Sequence, residues 1–167
     1  MPARVYVAGT LTAVAPVAAI PTTAAHFSLW NGEPSGGKTY TILTVGFSTT
    51  TSAAATMIMQ QLVHLSPPVR PIITGTAATG PFAMDGQPPS SRAAVYSAVT
   101  LGSNWGLWHP VGQSLNSAAL TATIGLGAFT NVTGIYKVPP GGIFSLATLG
   151  STTGGAVQSF ITWSEDY

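Results

Sequence analysis

The chain has 167 residues, of which five are Lys or Arg, four are Asp or Glu and none is Cys. Charged residues make up 5% of it, against about one-quarter in an ordinary soluble domain. A formal net charge of +1 with widely spaced basic residues leaves no nucleic-acid footprint; the lack of cysteine removes disulfide staples, and no apolar run reaches the roughly 18 residues of a membrane span. So few charges provide little repulsion between copies. The surface is expected to be neutral, hydroxyl-rich and suited to contact with other protein.

In chain order, Arg4 to Ala8 and Leu11 to Ile20 read as extended runs, with Pro16 inside the second and Pro21 at its end. Met1 to Ile20 lacks the unbroken apolar centre of a cleaved secretion signal. Residues 1–24 therefore read as an extended N-terminal arm, too short and too interrupted to bury itself. Its Val5, Val7, Leu11 and Val14 are expected to lie against the sheet edge of a neighbouring subunit. Residues 25–167 form the domain. Ala25 to Trp30 and Lys38 to Thr49 flank a turn through Asn31-Gly32 to Gly37. Met57 to Leu65 suits strand or helix; its β-rich surroundings favour strand. The proline-rich stretch 66–91 reads as a long loop, with one short strand near Ile72-Ile73-Thr74.

Strand character resumes at Arg92 to Leu101. Gly102 to Asn116 reads as irregular, followed by strands at Ala118–Leu126, Thr130–Val138, Ile143–Leu149 and Val157–Trp163. In the last of these, Val157, Ser159, Ile161 and Trp163 oppose Gln158, Phe160 and Thr162. Short strands at this spacing predict an all-β chain, an antiparallel β-sandwich of jelly-roll type.

The motifs with chemical spelling fail on context. Gly32 to Thr39 matches GxxxxGK[ST], yet a phosphate-binding loop must open a helix, and the residues after Thr39 are strand-like. His26, His64 and His109 are too far apart for a local metal motif. Glu165 and Asp166 are adjacent, so a regular strand cannot aim both into one cleft. No serine sits in a nucleophile elbow. No cofactor, metal or catalytic residue is assigned. The best ligand candidate is Trp105, Trp108 and His109, because exposed indoles stack on sugars; the alternative is that both indoles pack at an end of the sandwich or an inter-subunit seam. Asn131-Val132-Thr133 spells a glycosylation sequon, which matters only in a secreted eukaryotic protein.

Four segments carry a resemblance: His26 to Gly32, Gly37 to Ile42, Lys137 to Leu146 with its Val-Pro-Pro-Gly-Gly turn, and Gln158 to Glu165 with Trp163-Ser-Glu. Together they resemble small jelly-roll virion proteins of tailed bacteriophages, capsid-associated or decoration proteins, over residues 24–49 and 130–166. The resemblance implies a structural protein of the virion, present in the host cytoplasm during assembly, and brings no catalytic residue. The expected partners are further copies of the chain, as a trimer or larger array, and other capsid proteins, with neither nucleic acid nor membrane. A subunit of a non-viral extracellular fibre or tube and a carbohydrate-binding module are the alternatives.

Overall fold

The structure, a computed structural model, describes residues 4–51, 57–68, 73–86, 90–101, 106–117, 127–150 and 155–166. These residues form twelve strands: β1 Arg4–Gly9, β2 Ala24–Asn31, β3 Thr39–Thr51, β4 Met57–Ser66, β5 Ile73–Ala77, β6 Thr79–Ala83, β7 Ala93–Leu101, β8 His109–Ser117, β9 Gly127–Asn131, β10 Lys137–Val138, β11 Ile143–Gly150 and β12 Ala156–Asp166. All pair antiparallel in two six-stranded sheets. Sheet A runs β10-β3-β12-β1-β6, with β9 also on β3; sheet B runs β5-β7-β2-β11-β4-β8. The chain is a two-sheet antiparallel sandwich.

Strand alternation builds the core. Tyr6 and Ala8 of β1, Phe27 and Leu29 of β2, Ile42 and Val45 of β3, Phe144 and Leu146 of β11 and Ile161 and Trp163 of β12 all point between the sheets and are buried. Trp163 anchors sheet A: its ring stacks on Tyr6 at 5.7 Å and meets Tyr40 at 6.4 Å. The predicted alternation of β12 is observed, with Val157, Ser159, Ile161 and Trp163 inward.

The N-terminal segment is where expectation and structure part. Arg4–Gly9 is no free arm: it is an internal strand of its own sheet, between β12 and β6. The following residues continue inside the same molecule. Thr10 N donates to Ser159 O, Val14 exchanges two hydrogen bonds with Val157, and Val17 N donates to Thr148 O while Val17 O accepts from Gly150 N. This segment crosses from β12 of sheet A to β11 of sheet B and straps one end of the sandwich. The run Leu11 to Ile20 makes only these isolated bridges and is not a strand.

Three further expectations change. The long loop 66–91 contains strand β6, and the irregular stretch 102–116 contains most of β8. Residues 130–138 are two strands, β9 and β10, separated by a turn at 133–135 in which Gly134 takes φ 81°. The predicted strand Ala118–Leu126 lies outside the described residues.

Candidate functional site

The central strands of sheet B, β2, β11 and β4, are buried on both faces along much of their length, and the Trp108 region is the reason. Ile143, Ser145 and Ala147 of β11 point away from the inter-sheet core and are nevertheless fully buried. Leu62 and His64 of β4, their cross-strand partners, are buried with them. The segment 106–108 lies over this face. A Cβ on Gly106 would come within 2.5 Å of Leu65 O and 2.7 Å of His64 Nε2, so only glycine permits the approach. Trp108 is 4% exposed, and its ring lies 5.1 Å from that of His64, whose Nδ1 lies 3.1 Å from Ser66 Oγ. Val17, from the N-terminal strap, packs on the same cluster.

The three residues singled out for sugar stacking therefore do not form one exposed platform. Trp108 offers no ring face to solvent. His109 is half-buried at the start of β8: its Nδ1–H donates to Leu107 O at 3.2 Å, leaving Nε2 to accept from Tyr136 Oη at 2.7 Å. Burial pushes the Tyr136 phenol above its ordinary range. Trp105 lies outside the described residues.

His26 sits on the covered face of sheet B. Burial lowers its pKa from 6.5 to about 4. The geometry adds a second reason, because Nδ1 accepts the Thr148 amide at 3.2 Å and must be unprotonated to do so. The neutral ring is thus the native one. The unfolded chain binds the proton near pH 6.5, so between there and pH 4 it holds more protons than the native state. Stability is complete above pH 6.5 and falls by about 3 kcal/mol as the pH drops to 4. In His26→Gln this part of the acid loss should vanish, seen as a flatter melting temperature between pH 6.5 and 4. An identical slope in variant and wild type would contradict it.

The opposite feature is the gathering of charge. Among the described residues every charged side chain lies at one end of the sandwich: Arg4, Glu33, Lys38, Asp85, Arg92, Lys137, Glu165 and Asp166. Among the described residues of the other end, 9–24, 46–51, 57–60, 147–150 and 155–158 carry none. Glu165 is buried; it pairs with Lys38 Nζ at 3.4 Å and takes a short hydrogen bond from Ser91 Oγ, which itself accepts the Ala93 amide at 3.0 Å. Arg4 bridges Asp85 at 2.7 Å, Arg92 approaches Glu33 at 4.0 Å, and Thr41 Oγ1 donates to Asp166 at 3.0 Å. Burial, then the Glu165 carboxylate, drives the Tyr40 phenol upward.

Asn31 ties this end together. Its Nδ2 donates to Lys38 O and Val138 O at 2.9 and 2.8 Å, and its Oδ1 accepts the Glu33 amide at 3.0 Å. Its backbone meets Gly141 and Gly142 of the Val-Pro-Pro-Gly-Gly turn, where Gly141 takes φ 81°.

Scans against protein-family models, curated proteins and solved structures returned no match. The site must be judged on its own chemistry. Lys38-Thr39, spelled like a phosphate loop, leads into β3 rather than a helix, so no row of free helix amides faces a phosphate. His26, His64 and His109 lie on β2, β4 and β8, and among the described residues no group of three metal-ligating side chains comes together. Sequence reading noticed Lys38 and Glu165 separately and missed their pairing with each other and Ser91. The residues are 127 and 74 positions apart from Glu165, a separation that no local motif records.

Proposed function

We propose that this protein is a jelly-roll structural subunit of a bacteriophage virion, a capsid decoration or cement protein or a shell subunit, acting in many copies without catalysis. The observation that carries the proposal is the strand order. With the β5–β7 excursion and β9 set aside, the sheets read β1-β12-β3-β10 and β2-β11-β4-β8. Successive strands then alternate between sheets, except that β4 and β8 are neighbours in sheet B. This nesting supports the jelly-roll assignment, an architecture used by viral capsid and lectin domains. The β5–β7 excursion adds one strand beside β1 and two beyond β2.

Between those two uses, burial of Trp108 weighs against the sugar-binding reading, and the 5% charge weighs for a surface covered by protein. With β1 inside its own sheet, assembly relies on faces and edges of the folded domain rather than on an exchanged arm. The test is negative-stain electron microscopy with light scattering on the purified chain. Closed rings, clusters or shells are expected. Open helical filaments would favour the extracellular fibre, and a dilution-resistant 17.0 kDa monomer would overturn self-assembly.

A further inference from the structure

The two outer faces of the sandwich are treated differently. Sheet B's is covered by the chain itself over its central strands, whereas sheet A's carries large apolar side chains in the open. The strand register arranges them in two cross-strand rows. One runs Phe129, Gly46, Phe160, Gly9 across β9, β3, β12 and β1. The other runs Asn131, Thr44, Thr162, Val7, Phe82 and reaches β6. Phe129 is 77% exposed and Phe82 54%. The Phe160 ring leans over Gly46, where a Cβ would stand 2.6 Å from its Cε1, and Gly46 is the cross-strand partner of Phe129. No residue of either row is charged.

From this we infer that the outer face of sheet A packs against the same face of a second copy, an isologous contact in which each molecule offers one patch. The inference rests on the many-copy proposal and names its surface. Two quantities select a second copy as the occupant. The strands of sheet A, at about 3.4 Å per residue and about 4.8 Å between strands, give a face of roughly 700 Å². A standard interface takes about 800 Å² per partner. The two rows are also neutral, with Lys137 and Asp166 confined to the charged end of the same face, so a charged partner gains no pairing along the rows and loses solvation. The same rows on a second copy match them without burying a charge.

The experiment is sedimentation velocity on the full chain, with circular dichroism as the folding control. Wild type is expected above 17.0 kDa, and Phe129→Asp at a lower mass than wild type with an unchanged spectrum. Leu107→Asp, the same change at a 78% exposed position outside the two rows, should keep the wild-type mass. Should Phe129→Asp not fold, Asn131→Asp decides the matter. Asn131 Oδ1 accepts from the Thr133 amide and hydroxyl at 3.0 and 2.7 Å, and a carboxylate accepts both equally well. That variant should fold and associate at least about tenfold more weakly, because each copy then brings an unpaired charge into the contact. A folded Phe129→Asp, or failing it Asn131→Asp, with wild-type assembly overturns the sheet A contact and leaves the many-copy proposal standing. A wild type that is monomeric throughout overturns both.

Discussion

Removing residues 2–9 should unfold the domain, not merely its assembly. Tyr6 and Ala8 are 0% and 2% exposed, and Tyr6 supplies one face of the Trp163 stack. An aromatic side chain buries about 150–250 Å², worth roughly 4–6 kcal/mol at about 25 cal/mol per Å². The truncation also strips the edge of β12 of its partner from Arg4↔Glu165 to Gly9↔Phe160 and leaves β6 without a sheet. Total stabilities of about 5–15 kcal/mol do not survive losses of this kind. The near-UV circular dichroism of the aromatic core and the cooperative melt should both disappear. A truncated chain that melts cooperatively at the wild-type temperature, with assembly alone impaired, would restore the exchanged arm that sequence reasoning favours.

Trp163→Ala should be the most damaging single substitution in the core. The side chain is the largest of those fully buried and touches both Tyr6 and Tyr40. Truncating a buried tryptophan costs about 3–5 kcal/mol, through lost transfer energy and the cavity left behind. For a chain of this size that lowers the melting temperature by roughly 6–20 °C. Trp163→Phe separates packing from polarity. The indole Nε1–H is buried with no hydrogen-bond partner among the described residues, so phenylalanine removes that donor while keeping a ring between the tyrosines. It should cost less than half as much as alanine. Equal losses from both variants would show that ring volume is not what holds this end of the core.

How far the sequence reaches can be read strand by strand. β2, β3, β4, β7, β11 and β12 match the expected runs within a few residues, and each of them is paired on both sides in its sheet. A strand paired on both sides needs a donor at every position and apolar residues on its covered faces, and that demand is visible in composition. The strands that went unseen, β6 and β8, are both sheet edges. Each contains a proline, Pro81 or Pro110, and a glycine, Gly80 or Gly112. An edge tolerates proline because one row of amides faces away from the sheet. Such strands spell like loops.

The candidate sites divide in the same way. Lys38-Thr39 was legible as a strand start rather than a phosphate loop, because the hydrophobic pattern after it has period two. The packing of Trp108 on His64 was one of two readings left open, since an indole spells the same whether it faces sugar or a neighbouring ring. The Lys38–Glu165–Ser91 link and the two rows across sheet A could not be seen at all, as they exist only in the register between strands distant in sequence.

The sequence by itself determined an all-β chain, the turns at Asn31–Lys38 and Val138–Gly142, the inward residues of β12 and a surface nearly free of charge. Those are local properties, set by period-two alternation, proline and glycine geometry and composition. Only the tertiary structure decided which edge each strand joins. β1 has the spelling of any strand that can add to a sheet, and its partners are chosen by Tyr6 meeting Trp163 across the register. The same long-range pairing gathers the charges at one end and leaves Phe129 and Phe82 uncovered on the outer face of sheet A.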